Sequence, residues 1–314
     1  RLKKKVRGVI ANNNNTPSFS GKNSHNCSKG FKLQRSVNIE LSIIDILDEA
    51  RVKLDNNTYL DFVVWTKRSI KYQLRQYPRP YGIFKQEEKK IVDGKLLNIS
   101  LSIKMIDDKR KTIEEFITQK KKIYECLLEN NIDKLLQHLD LMEEKCSESL
   151  WSISFRLTIY QLYFGLEKQK KYLSEIRGRS SSGLLPFIMY RLSTKNEQGT
   201  DINRFRVSLD KYFNDNSNLI DSSLRKYLTY KLKSETISDK HNLNEILYYE
   251  MKFNIVDQFE TISTTLRRNL ISRSLPFSHF LTEKEIITVE ELVIKDYDKN
   301  ILPDIFSKVF YQEQ

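Results

Sequence analysis

Glycine and proline are scarce in this sequence, nine and six among 314 residues. A β-sandwich or barrel reverses its chain every few residues and draws on more of both, so an all-β fold is a poor fit. No apolar run reaches the roughly 18 residues of a membrane-spanning helix, and no membrane partner is expected. Nor does an apolar segment of the kind a secretory signal carries follow "RLKKKVRGVI". Cysteine is limited to Cys27, Cys126 and Cys146. An odd, scattered set suits a reducing cytoplasm better than a disulfide framework. The four histidines form no H-E-x-x-H, and there is no C-x-x-C, so neither a zinc site nor any other cofactor is expected. Walker A, G-x-G-x-x-G and G-x-S-x-G are all missing, which argues against nucleotide-driven and α/β-hydrolase chemistry.

Acid is also missing from the start of the chain. Arg1, Lys3, Lys4, Lys5, Arg7, Lys22, Lys29, Lys32 and Arg35 precede the first carboxylate, Glu40, within a sequence of net charge +12. Residues 1–36 therefore read as a basic arm, continued by the low-complexity "ANNNNTPSFSGKNSHNCSKG", which resembles a linker. Such an arm can attract nucleic acid, with Lys3, Lys4 and Lys5 as contacts, or serve as a solvated tail. A second acid-free stretch is "WTKRSIKYQLRQYPRPYGIFK", residues 65–85. Lys67, Arg68, Lys71, Arg75 and Arg79 can meet phosphates, and rings such as Tyr72 can stack on unpaired bases. Alternatively Val63, Val64, Ile70 and Leu74 form the core side of a helix with tyrosines packed on basic stems. "YPRPYG" then becomes a stiff loop.

Abundant Leu, Ile, Lys and Glu favour helices. Residues 37–111 read as a small mixed α/β region. There, Asp93-Gly94 is a hairpin signal, and Leu97, Ile99, Leu101, Ile103 and Met105 alternate with polar neighbours as in a strand. Residues 112–272 read as helix pairs. Thr112 and Glu115 match a capping box ahead of the stripe Ile113, Phe116, Ile117, Ile123 and Leu127. Asn130-Asn131 breaks the run before a second stripe. Trp151, Phe155, Ile159, Leu162 and Leu166 share helical spacing and predict a buried helix. Further helices are expected over 184–194, 201–214, 219–232, 242–251 and 254–271. Pair starts recur at about 35 residues, near the tetratricopeptide period, although that family's small residues and terminal proline are missing. The fold class expected is mainly α, a TPR-like helix-pair solenoid whose concave face receives a partner. Residues 273–314 read as a C-terminal helical extension, with a capping box at Thr282 and Glu285 and with Pro303 at the last helix.

Within "RSLPFSH", Arg273 and His279 have R-x5-H spacing. This is similar to the Arg/His motif of HEPN ribonucleases, which are helical. The resemblance implies that His279 moves a proton while Arg273 stabilises phosphate charge on RNA. Pro276 departs from the continuous helical setting of that motif, and a loop between helices is the alternative reading. Asp107-Asp108 and Glu143-Glu144 read as solvated turns or helix ends.

The function expected is binding without catalysis: a scaffold, adaptor or sensor subunit that holds a protein partner in a larger intracellular assembly. A DNA- or RNA-binding subunit, as in prokaryotic antiviral defence, is the alternative, and a HEPN-like ribonuclease a third.

Overall fold

The computed structural model describes residues 2–14, 46, 49–50, 53–69, 97–179, 183–197, 199–251, 253–272 and 280–296. Among them the structure is mainly helical and holds no strand. The chain divides into two compact units, Arg1–Gln76 and Tyr77–Gln314.

The first unit contains α1 (Leu2–Asn14) and α2 (Asn56–Ser69). The start of the basic arm is thus helical, a feature that its composition did not announce. Val6 explains the difference, because it is fully buried, and α1 packs on α2. Tyr59, Leu60, Phe62 and Val63 give α2 its buried side. Lys5 pairs with Glu49 at 2.5 Å and Lys53 with the same carboxylate at 2.6 Å. Those two ammonium groups hold the Glu49 carboxyl down at about 2.

The second unit runs α3 (Leu97–Asp108), α4 (Arg110–Leu128), α5 (Ile132–Cys146), α6 (Leu150–Ile159), a π-helical turn (Tyr160–Phe164) and α7 (Gly165–Arg179). After these come α8 (Leu184–Lys195), α9 (Ile202–Asp215), α10 (Ser222–Lys233), α11 (Lys240–Glu250), α12 (Ile255–Ser272) and α13 (Glu283–Asp296). The strand expected from Leu97 to Met105 is a helix. Ile99, Ser102, Ile103 and Ile106 are buried at helical spacing, and Leu101 is buried beside them. A helix apolar on most of its surface mimics strand alternation over a short run. The rest of residues 37–111, apart from 46, 49–50 and 53–69, lies outside the described residues up to α3.

The later helices start and end within a turn of their expected positions, because the polar breaks supply caps. Asp201, Asp221 and Asp239 accept the backbone N–H groups of Arg204, Leu224 and Asn242 at 2.8 Å each. Asn130 takes the left-handed conformation (φ 56°) that ends α4, and Asn131 caps α5 through the Lys134 N–H. The Thr112–Glu115 box is not used: α4 begins at Arg110, and Glu115 instead accepts from Lys145 and Gln119. At α13 the Glu285 carboxylate does accept the Thr282 N–H.

Packing in the second unit reaches well beyond sequence neighbours. α3 lies against α11, α12 and α13, and α12 also meets α4 and α6. One buried apolar cluster runs from Ile99 to Val293. In a one-dimensional array each repeat touches only the next; here, among the described residues, the first helix of the unit packs against the last three.

Candidate protein-docking site

The site is built where α6 ends. Ser149 opens that helix with a reciprocal capping box to Ser152. Ile153, Leu157 and Ile159 are fully buried. Trp151 stacks on Phe155 at 5.1 Å, and Phe116 meets Trp151 edge-on. At Tyr160 the helix widens into a single π turn, which lasts to Phe164. A π turn inserts extra rotation, so residues beyond it leave the stripe that the α-helical period assigns them. Gly165 then breaks the direction with φ +80°, a conformation cheap for glycine alone.

The consequence overturns one sequence expectation. Leu162 and Leu166, expected in the core, are 50% and 39% exposed, and between them Tyr163 and Phe164 are 43% and 46% exposed. Four large apolar side chains within five residues face solvent. Two clefts open at this turn. One, of about 570 Å³, is lined by Tyr163 and Phe164 of the turn, by Glu129 and Asn131 of the α4–α5 connection and by Ile132 and Asp133 at the start of α5. The other, of about 590 Å³, takes Tyr160 and is lined by Asp140, Glu143, Glu148, Glu175, Arg156 and Tyr172. Four carboxylates therefore share the second cleft with one guanidinium, and two more line the first, on a chain whose overall charge is +12.

Arg156 is held firmly. Its Nη2 donates to Asp140 at 2.8 Å and to Glu143 at 2.7 Å, and its guanidinium lies 5.8 Å from the centre of the Tyr172 ring. Burial pulls the Arg156 pKa down, but Glu143 and its hydrogen bonds outweigh that and raise it. Burial pushes the Glu143 carboxyl up. Lys168 sits 5.2 Å from the centre of the Tyr160 ring.

A second set of perturbed groups lies within the helical packing. Lys120 lies between Glu260 and Asp296, and Arg267 reaches Asp296 at 3.3 Å. Burial lowers the Lys120 pKa, while Asp296 and Glu260 together prevail and raise it. Lys231 pairs with Glu250, which also accepts from Thr261. Asp257 accepts the N–H groups of Leu150, Trp151 and Asn254 and so ties the starts of α6 and α12 together. These groups are buried and line none of the clefts at the turn. Their shifts come from burial and from the charges packed beside them.

Lys3, Lys4 and Lys5 are exposed on α1. Lys5 is engaged by Glu49, and Lys3 and Arg7 lie 5.2 and 5.6 Å from the centre of the Trp65 ring. The structure thus joins the basic start of the chain to the first residue of the 65–85 stretch. Lys67 and Arg68 belong to α2. Lys71, Tyr72, Arg75, Arg79, Arg273 and His279 lie outside the described residues, as does Pro303. His138 is half-buried and meets Gln119 at 3.1 Å. Among the described residues no group of His, Cys, Asp and Glu is placed to hold a metal ion, and no helix is long and apolar enough to cross a membrane.

Sequence periodicity hides the turn because Leu162 and Leu166 fit the α-helical stripe. The available signal is the glycine that follows three large apolar residues in "LYFG". Comparison with protein-family models, curated proteins and solved structures gives no match.

Proposed function

We propose that this chain is a helical scaffold, adaptor or sensor subunit that docks a protein partner at the π turn, in place of the concave face that a one-dimensional array would offer. The observation that carries this reading is the consecutive exposure of Leu162, Tyr163, Phe164 and Leu166. Apolar side chains scattered singly over a surface need no explanation, but a contiguous group rimmed by polar residues marks an interaction site. Aromatic residues at the centre of such a surface supply most of the binding energy. The acid lining favours protein over nucleic acid at this face, since phosphates would be repelled.

The test is capture of partners from nuclease-treated native lysate by the wild-type chain and by the Leu162→Ser/Phe164→Ser variant. The reading expects a stoichiometric protein that survives nuclease and is lost from the variant. Identical capture by both would overturn it.

A second reading keeps α1 as a nucleic-acid contact, favoured by Lys3, Lys4, Lys5 and Arg7 on one helix without acid. Binding through such a helix weakens steeply with salt.

A further inference from the structure

We infer that the partner meets the turn with a cationic side chain, an arginine or lysine on an amphipathic segment, seated among Tyr163, Phe164, Glu129 and Asp133. This rests on the reading of the turn as a docking surface and adds the chemistry of the segment that docks.

The neighbouring cleft supplies the template. There a guanidinium of this chain, Arg156, lies between carboxylates (Asp140 and Glu143) and the face of an aromatic ring (Tyr172). The turn's own Tyr160 also carries an ammonium, that of Lys168, over its ring. The cleft at Tyr163 and Phe164 has the same components, two rings and the carboxylates of Glu129 and Asp133, but none of its described lining residues is basic. Carboxylates attract a guanidinium and accept its paired N–H groups, while ring faces hold the flat cation by cation–π attraction. Leu162 and Leu166, exposed beside these rings, offer an apolar landing for the other face of the same segment. Charge complementarity fixes the sign: an acid-lined cleft beside exposed apolar side chains selects a basic amphipathic segment and rejects an acidic one.

A random-peptide display library is the probe, panned on the full chain and counter-selected on the Phe164→Ser variant. Clones that depend on Phe164 are sequenced and their affinities measured on the wild type and on Glu129→Gln/Asp133→Asn. Both acids are exposed at a helix connection, and unfolding curves of each variant confirm that the fold is kept. The expected result is enrichment of Lys and Arg spaced among aliphatic residues, and affinity about tenfold weaker on the double variant. Phe164-dependent clones without basic excess, or with equal affinity for the double variant, would leave the docking reading standing and overturn the cationic chemistry. A library that yields no Phe164-dependent clone would overturn both.

Discussion

Asn98 and Asn244 hold one another across 146 positions of sequence. The Asn98 N–H donates to Asn244 Oδ1 at 3.0 Å, and the Asn98 side-chain amide donates to the Asn244 carbonyl at 3.1 Å. Both residues are buried. This exchange satisfies a donor at the open start of α3, where helix N–H groups lack partners, and joins α3 to α11.

Removing it leaves that donor buried without its acceptor. Asn244→Ala is expected to cost about 1–3 kcal/mol, read as a lower urea midpoint with an unchanged slope. A midpoint equal to wild type would show that α3 is held by apolar packing alone.

Gly165 is expected to resist substitution for a backbone reason. A Cβ placed there meets nothing within 4 Å, yet the residue sits at φ +80°. Gly165→Ala should therefore destabilise by about 1–2 kcal/mol without a clash, and partner capture should fall as the turn is displaced. Equal stability of the two proteins in thermal melts would mean that the turn relaxes freely.

The buried acids give stability a defined pH dependence. Burial raises the Glu250 carboxyl from 4.5 to about 7, despite Lys231, and the Asp257 carboxyl from 3.8 to about 6. Both hold a proton more tightly folded than unfolded. Their contribution is complete below the unfolded values and is lost as pH rises through 6 to 7. Melting temperature on their account falls between pH 5 and 7.5, and Glu250→Gln, which cannot ionise, should flatten that slope. Parallel profiles for variant and wild type would contradict the assignment.

The α1 reading is tested by salt. If the first unit grips nucleic acid, Lys3→Ala/Lys4→Ala should reduce affinity for both DNA and RNA. The salt dependence should also become shallower, by nearly one unit of log–log slope for each phosphate that is no longer neutralised. Lys5→Ala should instead release Glu49 from its close pair. Affinity that does not change in the Lys3/Lys4 variant removes α1 from the nucleic-acid surface.

The helices were legible where an apolar stripe met a polar cap. Asp201, Asp221 and Asp239 mark their starts in sequence and cap them in the structure. Leu97 to Met105 reads as a strand because a helix buried on most sides loses its periodic signature. The closing of α3 onto the last helices depends on pairs such as Asn98 with Asn244, and no local pattern announces a bond between distant residues. The π turn was hidden for a different reason. Leu162 keeps the stripe of Phe155 and Ile159 on paper, and only the π turn rotates it into solvent.

The docking proposal requires that this turn touch a protein. A photoreactive phenylalanine analogue at Phe164, with a control at Val207, which is 68% exposed but outside the turn, tests it most directly. Irradiation in nuclease-treated native lysate should give a discrete protein adduct at position 164 and none at 207. Adducts of equal yield at both positions, or none at 164, would contradict the account.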